Sequence, residues 1–192
     1  MFDFMRNLEQ ELKLSLTERE YNILLQLANV QPQLQTNYYF RYNEMPDELM
    51  VRLRKKGENC VLGYKCLLSN HNGVAVCDER ECEVSADFAD SFCSRGITQA
   101  ELKRLINVDF PNDLHLVGSM NTYRAKFKIE EWTLELDKNE YLGIVDYELE
   151  CENLYIEQLE KLKNYLFYAY GIIFRQSRPK VNRFLQAARA FR

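Results

Sequence analysis

The 192-residue chain has no Cys-x-x-Cys pair, no long apolar run, no surplus of positive charge and no glycine-rich loop ending in Gly-Lys-Ser/Thr. Each absence removes a class of function. The six cysteines (Cys60, Cys66, Cys77, Cys82, Cys93 and Cys151) are dispersed, and neither His71 nor His115 lies beside a cysteine ligand pair, so a structural zinc site is not expected. The N-terminal Met1-Phe2-Asp3-Phe4 has no cationic stretch leading into an apolar one. Neither export nor membrane insertion is indicated, and the cytosol is the expected compartment. Disulfides are then not expected, and thiols in strand-like runs read as small buried hydrophobes with no nucleophile among them. A net charge of −4 argues against a general nucleic-acid binder. Without a Walker-type loop, any phosphate binding must come from side chains.

What is present is charge in alternation. Hydrophobic residues make up 46% of the chain and charged residues 28%, with no repeat or low-complexity linker, which predicts a single globular domain over residues 1–192. In Glu9-Gln10-Glu11-Leu12-Lys13 a strand would put Glu9, Glu11 and Lys13 on one face, neighbours about 7 Å apart at a rise of roughly 3.3 Å per residue. Two carboxylates and an ammonium on one face suit a divalent cation and an anionic ligand. The arithmetic recurs: Arg52 and Arg54 share a face, as do Glu81 and Glu83, then Arg124, Lys126 and Lys128, then Glu135 and Asp137, then Glu148, Glu150 and Glu152. Two architectures satisfy the pattern. One is an ordinary sheet with a charged outer face; the other is a closed barrel with a charged lumen and an apolar face packed outward against helices.

Strands are expected at about 7–16, 35–40, 49–54, 60–68, 77–84, 114–119, 122–131, 132–137 and 144–152, with turns at Asn70–Gly73 and Asn139–Gly143. Thr17 with Glu20 and Thr98 with Glu101 have the spacing of capping boxes that open helices. The longest helix is expected over Ile156–Tyr170, and Pro179 opens the last. Hairpin-length connections point to an antiparallel sheet. The aromatic residues Tyr165, Phe167, Tyr168 and Tyr170 read as packing, and the basic C-terminal stretch, interleaved with Phe184, Leu185 and Phe191, as an amphipathic packing helix.

The order of these motifs, Glu-x-Glu-x-Lys, Arg-x-Arg, a lysine about ten residues on, Glu-x-Glu, a lone Arg and Asp, a second Glu-x-Glu and a late lysine, resembles the CYTH superfamily, the triphosphate tunnel metalloenzymes. The run Gly143-Ile144-Val145-Asp146-Tyr147-Glu148-Leu149-Glu150 looks like its bacterial YjbK-like branch. The resemblance implies an α+β fold, an eight-stranded antiparallel β-barrel enclosing a charged tunnel with flanking helices. It implies that Glu9, Glu11, Glu81, Asp137, Glu148 and Glu150 serve a divalent metal, Mg²⁺ or Mn²⁺. Lys13, Arg52, Arg54, Lys65, Arg124, Lys180 and Arg183 would bind substrate phosphates. Glu9, Glu11, Lys13, Arg124, Glu148 and Glu150 would form the catalytic set. The implied activity is metal-dependent hydrolysis of a small-molecule triphosphate, inorganic or short organic, with no nucleic-acid or membrane partner. A class IV-type adenylate cyclase and a non-catalytic polyphosphate- or nucleotide-binding module are the alternatives. Nothing in the pattern specifies an oligomer. Two departures bear on selectivity: Tyr39-Phe40 is followed by Arg41-Tyr42 where the family often has Asp-Thr, and Asn43–Glu48 is atypical.

Overall fold

The computed structural model describes residues 5–71, 74–152 and 156–190, with the side chains of Glu9, Ile156 and Glu157 outside that description. The strands are β1 (Met5–Leu16), β2 (Gln33–Arg41), β3 (Leu49–Lys56), β4 (Asn59–His71), β5 (Val74–Val84), β6 (His115–Ile129), β7 (Trp132–Tyr141) and β8 (Ile144–Glu152). The helices are α1 (Glu18–Ala28), α2 (Ala86–Arg95), α3 (Gln99–Ile106), α4 (Ile156–Tyr170) and α5 (Lys180–Ala190). The eight strands pair in the order β1-β5-β4-β3-β2-β6-β7-β8 and the sheet closes on itself. This is the antiparallel barrel that the resemblance implied, and the second of the two architectures left open by the alternation.

The chain divides into two compact units. In one (residues 35–68 and 77–120 with the first eight), the apolar face of β2 to β5 packs beneath α2 and α3. Phe40, Val51, Leu53 and Leu62 from the strands meet Phe92, Leu102, Leu105 and Ile106 from the helices. In the other (residues 9–34, 69–76 and 121–192), Leu12, Leu14, Leu134, Leu136 and Leu149 meet Tyr21 and Leu24 of α1 and Leu159, Leu162 and Leu166 of α4. In both units the strands turn their apolar residues toward helices. The opposite, charged face is therefore left for the lumen, a reversal of the usual buried-apolar interior of a small barrel.

Local signals account for most element ends. Thr17 and Thr98 cap α1 and α3, each with a reciprocal glutamate, and Asn29 and Asn107 end those helices in the left-handed conformation. Helix α2 is not among the expected elements: within Ala86–Arg95 only Ala89 and Phe92 are fully buried, too sparse a stripe to show as a period. Strand β6 runs unbroken through residues 120–121, where two strands were expected. The 70–73 turn is also corrected in part, because β4 continues to His71; Asn72 and Gly73 lie outside the described residues. On α4 the buried stripe is Leu159, Leu162 and Leu166, with Tyr165 and Tyr170 against it. Phe167 and Tyr168 fall off that stripe and are exposed, so packing describes only half of the aromatic group. Helix α5 buries Val181, Phe184 and Ala187 and is amphipathic as expected; Phe191 lies outside the described residues. All six cysteines are free thiols, and burial pushes Cys151 up to about 12. Among the described residues no helix is long and apolar enough to cross a membrane.

Candidate active site

The registers of the second unit explain how alternating charges become a site. Lys13 lies opposite Glu150, Glu150 opposite Glu135, and Glu135 opposite Lys126, a row across β1, β8, β7 and β6. The adjacent row is Ser15, Glu148, Asp137 and Arg124. Because every second residue shares a face, four short sequence motifs merge into one patch of side chains.

The contacts within that patch are close. Lys13 Nζ lies 2.9 Å from Glu11 Oε2 and 2.6 Å from Glu150 Oε1. Arg124 forks onto Asp137, with Nε at 2.8 Å from Oδ1 and Nη2 at 2.6 Å from Oδ2. The same guanidinium donates to Glu150 Oε2 at 2.7 Å and to Glu135. Lys180 Nζ sits 2.9 Å from Asp137 Oδ2 and 3.2 Å from Glu148 Oε2, and also contacts Glu150. Arg183 pairs with Glu148 and, at 2.9 Å, with Asp146 Oδ1. Lys180 and Arg183 are one turn apart on α5, which explains why both reach the same carboxylates.

Burial costs each charge heavily, and the partners outweigh it. Desolvation favours neutral Lys13, yet Glu11, Glu150 and Glu148 hold its ammonium well above the usual lysine value. Desolvation likewise favours neutral Glu150, but Lys13, Lys180 and Arg124 hold it well below the usual carboxylate range. Asp137 is lowered against its burial by Lys180 and Arg124, and Lys180 is raised against its burial by Asp137, Glu148 and Glu150. A depressed carboxylate stabilises the fold above its unfolded pKa, about 4, and that contribution is lost as pH falls through the lower folded value. The raised lysines act in the opposite sense: their contribution is complete below about pH 10 and lost above it. The expected calorimetric profile is a melting temperature that is flat between about pH 5 and 10 and falls on both sides. A melting temperature unchanged at pH 3 would contradict the ion pairing of Glu150 and Asp137.

The donor set also suits a hard divalent cation. Among the described ion pairs of this patch, the carboxylates are Glu11, Glu135, Asp137, Asp146, Glu148, Glu150 and Glu152. Their cations are Lys13, Arg124, Lys126, Lys180 and Arg183. Acids therefore exceed bases by two charges. Glu148 is fully buried, and its Oε1 has no hydrogen-bond partner among the described residues. An orphaned carboxylate oxygen in an acid-rich patch fits Mg²⁺ or Mn²⁺, which take oxygen ligands. Among the described residues no three acidic, histidine or cysteine side chains already converge in metal-binding geometry; the carboxylates converge on lysine ammonium groups. Mg²⁺ commonly takes only one or two protein carboxylates and keeps several waters, so such an arrangement suffices for it.

The other unit holds its own polar group. Arg52 donates to Glu79 at 3.3 Å and Glu81 at 3.4 Å, and Arg54 to Asn37 at 3.3 Å. Gly63 lies opposite Arg52 in the β3–β4 register, and a Cβ there would meet Glu81 Oε1 at 3.4 Å and Arg52 Nε at 3.6 Å. The glycine thus leaves the space in which that pair sits. Arg41, the first departure from the family pattern, has a structural role: its guanidinium donates to the carbonyls of Met45, Pro46 and Leu49 and pairs with Asp47, gathering the atypical 42–48 loop.

Of the expected site residues, the second unit brings together Glu11, Lys13, Arg124, Asp137, Glu148, Glu150, Lys180 and Arg183. Glu9 is in β1 with its side chain outside the described residues. Arg52, Arg54, Lys65 and Glu81 belong to the first unit, with Lys65 half-buried on β4. Glu135, Lys126 and Asp146 were not nominated, although the first two share the parity of Asp137 and Arg124 and that signal was available.

The chain matches the CYTH domain over residues 7–185. It belongs to that family. A relative from Bacillus subtilis (strain 168), "Putative triphosphatase YjbK", is 28% identical over 196 residues, spanning 96% of this chain and 97% of that protein. A crystal structure from Bacillus halodurans, described as that of a putative adenylate cyclase, superposes with a TM-score of 0.74 at 23% identity, covering 93% of this chain and 98% of the other. HpAC1 from Hippeastrum, described as a putative adenylyl cyclase with dominant triphosphatase activity, gives 0.73 at 23% identity, covering 93% and 95%. The two structures establish the shared fold. Proteins bearing triphosphatase and adenylate cyclase names are thus among those this chain is similar to.

Proposed function

We propose that this CYTH protein hydrolyses inorganic tripolyphosphate, or a closely related short triphosphate, with Mg²⁺ or Mn²⁺. One observation carries the reading. Across the patch, inward positions from Glu11 to Ser15, Thr122 to Lys126, Glu135 to Asn139 and Asp146 to Glu152 are all charged or polar. That surface suits phosphate oxygens; Tyr141, the next position of the same parity on β7, is buried with its ring against Phe184 and its hydroxyl donating to Asp146 Oδ2 at 2.7 Å, engaged in packing.

In this reading Arg124 presents its planar fork to phosphate, and Lys13 and Lys180 act as point charges held protonated by their carboxylates. Glu148 and Glu150, with Glu11 and Glu9, would hold the metal, and Asp137 would orient Arg124 and Lys180 beside it. A divalent ion held there would supply neutralisation of phosphate charge and a lowered pKa for a coordinated water. Arg52, Arg54 and Lys65 remain phosphate-binding cations in this reading, and Glu81 a metal-side acid. The protein acts as a catalyst on a small molecule in the cytosol.

The test is phosphate release from tripolyphosphate, thiamine triphosphate and ATP in parallel, with Mg²⁺, Mn²⁺ or EDTA, and with cyclic AMP assayed in the ATP samples. The expected result is metal-dependent release, fastest from tripolyphosphate and abolished by EDTA. Cyclic AMP would replace the reading with a cyclase. Binding without turnover would replace it with a recognition module. Tripolyphosphate with metal should also raise the melting temperature, by about 2.7 kcal/mol of stability at a hundredfold excess over Kd.

A further inference from the structure

We propose that Glu20, outside the charged patch, is the positioning residue for Lys180 and Arg183. The inference rests on the proposed function for its kinetic meaning and on geometry for the rest. A capping-box glutamate needs only local partners, and Glu20 has them: it accepts from Thr17 N at 2.7 Å and from Thr17 Oγ1 at 2.9 Å. The same carboxylate also accepts from Ile173 N at 3.1 Å and from the Arg175 guanidinium. Helix capping explains neither of these distant donors.

Residues 173–177 form a strap between α4 and α5. Beyond Glu20, the strap is tied to β1: Ser15 N donates to the Arg175 carbonyl at 2.8 Å, Ser177 N donates to the Lys13 carbonyl at 3.2 Å, and Gln176 bridges to Leu14. These backbone ties hold the strap against Lys13, itself part of the patch, and Glu20 holds the strap's leading residues Ile173 and Arg175. Three residues later α5 begins at Lys180, with the N–H groups of Asn182 and Arg183 returning to the Pro179 carbonyl at 3.0 and 3.2 Å. Lys180 contacts its carboxylates at 2.9 and 3.2 Å, so a shift of about 1 Å in the strap takes those contacts out of hydrogen-bond range.

Three variants separate anchoring from capping. Glu20→Gln retains a residue that serves at the third position of a capping box but removes the charge facing Arg175. Arg175→Ala removes the same interaction from the other side. Thr17→Ala removes the local cap alone. Hydrogen exchange of the α5 amides is expected to quicken about tenfold in Glu20→Gln and in Arg175→Ala, with β6 to β8 unchanged, and to stay at the wild-type rate in Thr17→Ala. The same two variants should lose about tenfold in kcat/KM for tripolyphosphate. That loss should shrink in a Lys180→Ala background, where only Arg183 remains for the anchor to aim.

Unchanged α5 exchange in Glu20→Gln overturns the proposal. So does an undiminished kinetic loss in the Lys180→Ala background, which marks a merely structural role. A wild-type protein without turnover defeats the functional reading alone, since exchange still decides the anchoring.

Discussion

Replacing Glu148 and Glu150 together by glutamine should lower phosphate release from tripolyphosphate by at least about a thousandfold, the several kcal/mol of charge stabilisation that a bound divalent ion supplies. The substitution preserves side-chain size and hydrogen-bonding capacity while removing two negative charges from the centre of the patch. Glu150 is the point where Lys13, Lys180 and Arg124 meet, and Glu148 carries the unpartnered Oε1. Without them the described acids no longer exceed the bases, so both the ligands and the charge that favour a divalent cation are lost. The anion response separates catalysis from binding. Lys13, Arg124, Lys180 and Arg183 remain, now less neutralised, so tripolyphosphate binding measured by calorimetry should persist or tighten in the absence of metal. Activity that survives the double substitution would sink the metal-ligand assignment. Each change also leaves buried cations short of a partner, and a stability loss of about 3–5 kcal/mol is expected. Kinetics are therefore to be read at a temperature where circular dichroism shows the variant folded.

How much of this was legible in the sequence follows from what alternation can and cannot encode. Period-two charge identifies a face, and the family resemblance picks Arg124, Asp137, Glu148 and Glu150 out of it; apolar partners such as Ala125, Leu136 and Leu149 on the other face follow from the same parity. Parity does not say which strands are neighbours. That Glu150 lies between Lys13 and Glu135 depends on the closing of β8 onto β1, a pairing between the two ends of the chain. Glu135 and Lys126 have the right parity but stand outside the family's motif order, whereas Asp146 falls within the branch-like run without a motif of its own. Glu20 was hidden for a different reason: a capping box explains a Thr-x-x-Glu completely, so its second set of partners leaves no trace in the local sequence. Helix α2 was missed because two buried positions make no period. Arg41 was visible as a departure, yet its role in gathering the 42–48 loop is a backbone-carbonyl interaction that no side-chain pattern reports.

Arg124→Ala should be the most destabilising single substitution in the patch, and the one that a divalent metal rescues best. The guanidinium forks onto Asp137 and reaches Glu135 and Glu150, so its removal leaves three buried acids short of a cation. Breaking a buried ion pair from one side costs about 3–5 kcal/mol, which in a chain of this size lowers the melting temperature by roughly 10 °C. Arg124→Lys restores one charge but no fork, since a lysine meets one carboxylate oxygen at a time where arginine meets two. It should recover part of the stability and little of the activity. Losing Arg124 also removes one of the cations that hold Asp137 and Glu150 low, so the acid limb of the stability profile should move to higher pH. The excess of described acids over bases rises from two to three, and a dication binds the more negative patch more strongly. Mg²⁺ or Mn²⁺ should therefore raise the melting temperature of Arg124→Ala by more than that of the wild type, as differential scanning calorimetry with and without EDTA would measure. An equal metal response in the two proteins would place the ion away from Asp137 and Glu150 and shift the metal assignment to the β1 glutamates.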